Sequence, residues 1–372
     1  MSKPIRVIIS GGGTGGHIFP AVSIADELRR KHPDASILFV GAEGRMEMQR
    51  VPKAGYDIVG LPVSGLVRPL WSPKNVGVMM DFLKSRRKAK KIIREFRPDV
   101  VVGVGGYASS ATLNAAHALG LPCLVQEQNS YAGVTNKSLA HKARRFCVAY
   151  PGMERFFPKE KIVLTGNPVR QNLLDCAVSP QEARRRYGLK PDAKTVLVVG
   201  GSLGARTLNQ SILRHLDDIR QHTEIQIIWQ TGKYYSAGIA EALNTYSGSR
   251  PENLYVSEFL DDMATAYAAA DLVVSRAGAG SISELCLLGK PSILVPSPNV
   301  AEDHQTKNAQ ALSSRGAAIL LPDAEAPDKL IRLAYDTLLD DALLRSLAAE
   351  VRKLACPNAA SDIADEVVGL IK

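Results

Sequence analysis

Residues 6–30 read RVIISGGGTGGHIFPAVSIADELRR. A β-branched run, Val7 to Ile9, ends in five glycines and Thr14, after which apolar residues recur at helical spacing at Val22, Ile24, Ala25 and Leu28. That order predicts a strand, a tight loop and a helix. Glycines at such a turn let the backbone approach a ligand closely, and the first N–H groups and positive dipole end of the helix favour an anion. A phosphate or polarised oxygen is therefore expected at Gly13–Gly16. His17 follows directly, with an imidazole that can act as a base near neutral pH or simply bond backbone at a helix start.

The same unit recurs. PDVVVGVGGYASSATLNAAHALGLPCLVQEQN, from Pro98, runs Asp99, strand, Gly105–Gly106, helix, strand, and ADLVVSRAGAGSISELCLLGKPSILVPSPN, from Ala270, repeats this with Asp271, Gly278 and Gly280. TVLVVGGSLGARTLNQSIL (Thr195–Leu213) matches the opening stretch. Two similar halves of alternating strands and helices imply an α/β chain of two Rossmann-like parallel-sheet domains. Their boundary is expected between Asn167 and Lys194, where Pro168, Pro180, Gly188, Pro191 and a basic segment break the pattern. In such sheets ligands sit beyond the carboxyl ends of the strands, where all four glycine loops fall.

At 372 residues, 45% hydrophobic and 22% charged, the chain reads as an ordinary globular protein of about two domains. Its net charge of +9 points to an anionic partner, whether nucleic acid, nucleotide or membrane surface. Five scattered cysteines, with no C-x-x-C pair, fit reduced thiols rather than a zinc site. The uncharged stretch Val100–Gln126 is broken by Gly, Ser, Asn and Pro and does not read as a membrane span. Between Leu66 and Arg97, apolar Val76, Val78, Met79, Phe82 and Leu83 precede a dense basic run from Lys84 to Arg97. This is either a solvated helix face or a surface for anionic lipid head groups.

Several motifs compete. Gly11, Gly13 and Gly16 satisfy a dinucleotide-binding pattern, but the acidic partner for a ribose, Glu43, falls beyond the usual interval. Gly200, Ser202 and Gly204 satisfy a hydrolase nucleophile elbow, with Asp271 and His304 downstream; a phosphate-binding serine at a helix start fits the architecture better. No D-x-D triplet occurs, so a leaving diphosphate would be met by helix N-termini and by donors such as Arg170, Ser202 and the loop Ala277–Ser281. Glu284 is placed either to accept from ribose hydroxyls or to complement its helix dipole. Gln305 and Asn308 are either sugar ligands or polar residues of a helix start.

The motifs GGGTGGHIFPA at Gly11, GVGGYAS at Gly103, QEQNSYAGVTNK at Gln126, GNPVR at Gly166, GGSLGARTLN at Gly200, EFLDDMATAY at Glu258, RAGAGSISE at Arg276 and DHQTKNA at Asp303 run over nearly the whole chain. Together they resemble the MurG family of glycosyltransferases, glycosyltransferase family 28. The resemblance implies a GT-B fold, two Rossmann-like domains facing across a cleft. Residues 1–168 would bind acceptor and face the membrane, 169–355 would bind donor, and the terminal helix within 356–372 would pack back on the first domain. The implied reaction is inverting transfer of N-acetylglucosamine from UDP-N-acetylglucosamine to the C4 hydroxyl of the muramyl sugar of lipid I, giving lipid II. By motif position, donor contacts would come from Thr14, Gly15, Gly16, Asn129, Arg170, Ser202, Leu260, Ala279, Gly280, Ser281, Ile282, Ser283, Glu284 and Gln305. The acceptor diphosphate would meet Gly13, Gly105, Gly106 and Tyr107. His17 is the expected base or acceptor-orienting residue, with Glu127 as second candidate. Membrane contact is expected from Val76, Met79, Phe82, Leu83, Lys84, Arg87, Lys88 and Lys91. No metal or other cofactor and no nucleic acid is expected. The implied partners are the two substrates, anionic lipids and other cell-wall and division proteins, at the cytoplasmic face of the bacterial inner membrane. One departure is Leu203, where some relatives carry glutamine. A related transferase with another lipid acceptor, or a non-catalytic UDP-sugar-binding membrane protein, are the alternatives.

Overall fold

The computed structural model describes residues 4–63, 65, 74–169, 173 and 175–371. The chain divides into two compact units, Met1–Arg170 with Cys356–Lys372, and Gln171–Ala355.

The first unit opens with β1 (Arg6–Ser10), α1 (Gly15–Lys31), β2 (Ser36–Ala42), α2 (Glu47–Lys53), β3 (Asp57–Leu61) and the long α3 (Lys74–Phe96). It continues through β4 (Val100–Gly103), α4 (Tyr107–His117), β5 (Cys123–Glu127), α5 (Val134–Lys137), β6 (Arg145–Val148) and β7 (Ile162–Leu164). Its strands form one seven-stranded sheet in the order β3-β2-β1-β4-β5-β6-β7, and every pairing is parallel. Because crossover helices cover both faces of a parallel sheet, its strands read as continuous apolar runs. β4, VVVG, is buried at every position.

The second unit repeats the plan. It holds α6 (Pro180–Arg186), β8 (Lys194–Val199), α7 (Arg206–Arg214), α8 (Leu216–Gln221), β9 (Ile225–Gln230), α9 (Ser236–Thr245), β10 (Leu254–Ser257) and α10 (Met263–Ala269). Then come β11 (Leu272–Ser275), α11 (Ala279–Leu288), β12 (Ser292–Leu294), α12 (His304–Ser313), β13 (Ile319–Leu320), α13 (Ala326–Leu339) and α14 (Asp341–Arg352). The six strands are ordered β10-β9-β8-β11-β12-β13. The halves even share a brace. Asp99 accepts from the N–H of Arg6 at 2.7 Å before β4, and Asp271 accepts from the N–H of Thr195 at 2.8 Å before β11.

Strand order reverses between β1 and β4 and again between β8 and β11. A crevice opens beyond the strands wherever adjacent crossovers run in opposite directions, and ligands of open α/β sheets bind there. The four glycine loops are the turns that follow these four strands.

The chain ends in α15 (Ala359–Gly369). Its Ile363, Ala364 and Val367 join Val7, Ile9, Ile24 and Leu28 in one core of the first unit. Lys31 bonds Asp365 at 2.7 Å and Arg145 bonds Glu366 at 3.0 Å, so α15 is held to α1 and β6 by charge at its rim. No helix among the described residues is long and apolar enough to cross a membrane.

Candidate active site

In the first unit, Thr14 precedes α1 in extended backbone (φ −144°, ψ 158°), and the helix has no acidic residue in its first turn. Thr14, Gly15 and Gly16 thus present the open N-terminus of a 17-residue helix, the arrangement that suits an anion. His17 lies in that turn with Nδ1 2.9 Å from the Gly12 carbonyl oxygen. A carbonyl only accepts, so Nδ1 carries the hydrogen, and in the neutral ring the lone pair is on Nε2. Gly105 (φ +101°) lies against Nε2, where a Cβ would stand 2.7 Å away, and a Cβ on Gly106 would stand 2.7 Å from the Gly12 oxygen. These glycines exist to let two loops and an imidazole touch. Tyr107, the first residue of α4, is exposed beside them.

Two expectations change here. Glu127 is 1% exposed, and its carboxylate takes the N–H of Asn129 (3.0 Å), the Asn129 amide (3.3 Å), the N–H of Gly133 (2.9 Å) and the Asn136 amide (2.8 Å). With its lone pairs so occupied, Glu127 orders the loop after β5 rather than serving as a base. Gly13 is corrected too. Its N–H donates to Glu47 at 3.0 Å, so it is not available to an acceptor diphosphate. Asn129, held by Glu127, stays partly exposed. Beneath this loop Gln126 donates to Asn167 (2.8 Å), Asn167 to the Gln128 carbonyl (3.0 Å) and Gln128 to the Val104 carbonyl (2.8 Å). That chain joins the GNP segment to the loop after β4.

In the second unit, Ser202 is exposed between β8 and α7, and its carbonyl accepts from the N–H of Lys233 at 3.1 Å. Ala279, Gly280 and Ser281 form the first turn of α11, capped by Gly278 and free of acidic residues. Ser283 turns its hydroxyl back to the Ala279 carbonyl (2.9 Å), and Glu284 accepts from the Tyr267 hydroxyl (2.9 Å). Ile282 and Leu260 have buried side chains, so any contact they make with a donor is through their backbone. Gln305 uses its carbonyl oxygen to accept from the N–H of Ser297 (2.8 Å), so its amide donors are what remain for a sugar. Asn308 is buried and bonds the Ala277 carbonyl (3.3 Å), which makes it a prop of the loop before α11. Arg170 lies outside the described residues.

Two functional residues escaped the motif reading. Glu47 props the first glycine loop. Arg276 donates to the carbonyls of Val295 (3.1 Å) and Pro296 (3.3 Å), to the Thr207 hydroxyl (2.9 Å) and to the Asp323 carboxylate, fastening the loop before α11 to the start of α7 and the end of β12. Its place in RAGAG was visible; its partners were not.

On α3, Val76 (67% exposed), Met79 (58%), Met80 and Leu83 face outward, followed on the same side by exposed Lys84, Arg87, Lys88, Lys91 and Arg94. Lys88 pairs with Glu43 at 2.6 Å. Phe82 is corrected: it turns inward onto the core with Ala89, Ile92 and Ile93. Those positions recur at i, i+7, i+10 and i+11, so the helical period already carried the sign. Met80 takes the outward place.

Comparison with known proteins follows the same division. The glycosyltransferase family 28 N-terminal domain matches residues 7–148, and the family 28 C-terminal domain matches residues 195–366. A Bacteroides fragilis protein named UDP-N-acetylglucosamine--N-acetylmuramyl-(pentapeptide) pyrophosphoryl-undecaprenol N-acetylglucosamine transferase is 61% identical over 367 residues, 98% of this chain and 96% of its own. The protein of the same name from Bacteroides thetaiotaomicron is 60% identical over 371 residues, 100% of this chain and 99% of its own. The crystal structure of Acinetobacter baumannii MurG superposes with a TM-score of 0.75 at 29% identity, covering 98% of this chain and all of that one. The fold class is accordingly GT-B, and the glycines after β1 and β8 are those of a glycosyltransferase, which sets aside the dinucleotide and hydrolase readings. This chain belongs to glycosyltransferase family 28.

Proposed function

We propose that the chain transfers N-acetylglucosamine from UDP-N-acetylglucosamine to the C4 hydroxyl of the muramyl sugar of lipid I, forming lipid II with inversion from α to β. The observation that carries this reading is end-to-end identity of 61% with a transferase named for those substrates. In the chemical step the acceptor hydroxyl attacks the anomeric carbon while Nε2 of His17 takes its proton, and the bond to the UDP oxygen breaks. The tautomer held by Gly12 supports His17 as that base. Charge on the departing diphosphate is met by the N-terminus of α11, by Ser202 and by Arg170, and no metal cofactor is proposed, the sequence offering no paired-aspartate triplet. Glu284 accepts from the ribose, and the Gln305 amide donates to the sugar. The first unit holds the acceptor diphosphate at Gly105, Gly106 and Tyr107.

The outward stripe of α3 supports a peripheral seat on the cytoplasmic face of the inner membrane. Exposed Val76, Met79, Met80 and Leu83 would enter the head-group layer, and the cations behind them would meet anionic lipids. Wall-synthesis and division proteins are the further partners expected.

The test is transfer of labelled N-acetylglucosamine to a short-chain lipid I analogue, comparing the parent with His17→Ala. UDP release matching sugar transferred establishes the reaction, and a variant that binds donor but turns over slowly supports the base. A parent that binds donor and transfers nothing to lipid I refutes the acceptor. Flotation with anionic vesicles, lost in Met79→Asp/Leu83→Asp, tests the α3 surface.

A further inference from the structure

Glu47 is the first residue of α2 and 1% exposed, yet no motif reading gives it work. Its two oxygens accept from two backbone groups, Ala42 N–H at the end of β2 and Gly13 N–H in the glycine loop, each at 3.0 Å. Space for it is made by two glycines. A Cβ on Gly12 would stand 2.0 Å from a Glu47 carboxylate oxygen, and one on Gly41 2.6 Å from its Cγ. A buried carboxylate is costly, and here it is retained at a cleared position under the loop that carries the base.

The N–H of Gly13 and the C=O of Gly12 belong to one planar peptide group, and they point in opposite directions. Glu47 grips the N–H end at 3.0 Å; His17 Nδ1 grips the C=O end at 2.9 Å. Hydrogen bonds in such a chain polarise one another. A carboxylate at the N–H end draws the peptide hydrogen and adds negative charge to the Gly12 oxygen.

We infer that Glu47 is a positioning residue for the transfer reaction, acting on His17 through the Gly12–Gly13 peptide. It holds Nδ1 as the protonated nitrogen, keeps the lone pair on Nε2, and steadies the imidazolium formed when Nε2 takes the acceptor proton. No proton crosses the peptide. The inference rests on His17 being the base, as proposed above, and differs from a simple scaffold role in one respect: its effect must pass through the imidazole.

Two measurements on the full chain test it. The first is ¹⁵N NMR of the imidazoles, with His17 assigned by its loss in His17→Gln. The parent is expected to show the Nδ1–H tautomer, and Glu47→Gln a mixture. The second is a double-mutant cycle of Glu47→Gln and His17→Ala at saturating donor. Glu47→Gln is expected to lower kcat about tenfold, the low end of the loss when the outer partner of a metal-bound imidazole is removed, with donor KM unchanged, and to cost nothing further in the His17→Ala background. A parent in the Nε2–H form overturns the inference. So does an equal loss of kcat in both backgrounds, or none in the parent. Glu47→Asp, which retracts the carboxylate by one methylene, supplies the same readouts if Glu47→Gln does not fold. The NMR result needs no substrate, so failure of lipid I as acceptor and failure of the relay remain distinct outcomes.

Discussion

Replacing Arg276 by methionine removes a cation while keeping most of its length, and the structure sets what that should cost. The Arg276 and Asp323 side chains are 16% and 17% exposed, so the pair is nearly desolvated. Deleting one member of such a pair leaves the other charge stranded, at about 3 kcal/mol. The carbonyls of Val295 and Pro296 and the Thr207 hydroxyl also lose a charged donor. Asp323 retains the Thr207 hydroxyl, which limits the total. With a urea m-value of about 2 kcal/mol/M for a unit of this size, the midpoint should fall by about 1.5 M. The probe is Trp229, fully buried in the second unit and donating to Asn209 at 2.9 Å; a Trp71→Phe background makes it the sole tryptophan. Arg276 also fastens the loop before α11, so UDP affinity should fall with stability. A midpoint shift below about 0.3 M would refute the claim that this guanidinium holds the donor-side loops together.

Glu284→Gln exchanges a charge-assisted bond for a neutral one; at a difference of about 1–1.5 kcal/mol, UDP-N-acetylglucosamine affinity by calorimetry should drop about 5- to 10-fold. A loss below about threefold would remove Glu284 from the ribose. Asp262 caps α10 through the Thr265 hydroxyl and N–H, and these bonds hold its carboxyl below the ordinary 3.8. A depressed folded value means the stabilisation is complete above the unfolded pKa and is lost as pH falls through the folded one. Asp262→Ala should therefore cost about 1 kcal/mol at neutral pH, with the gap in urea midpoints closing under acid; a gap that persists at pH 2 would contradict the capping account. Burial pushes the Cys123 thiol up to about 12 and raises Cys147 as well. A disulfide reagent at pH 8 should label half-buried Cys176 in the native chain and, more slowly, Cys356, an exposed residue whose thiol burial also raises, and the other three cysteines only after unfolding; early labelling of Cys123 would show that β5 opens readily.

What the sequence alone determined is what neighbouring residues decide. Strand, glycine loop and helix follow from residues within a few positions of one another, so β1 with α1, β4 with α4, β8 with α7 and β11 with α11 were legible, and with them both sheets. The twin aspartates before β4 and β11 were visible as a repeat, though not as braces on the strands beside them. Position in a motif said less about role. Glu127 sits in a conspicuous QEQN run, yet only its four donors reveal a loop anchor. Gly13 looked like a phosphate cradle, and Glu47, 34 residues away, occupies its N–H. Arg276 meets partners 69 and 47 residues distant. Those pairings are made where the turns after separate parallel strands converge, and neither periodicity nor propensity carries information over that distance. Tertiary structure decided them because a buried charge or N–H must find a partner in space, wherever in the chain that partner was made.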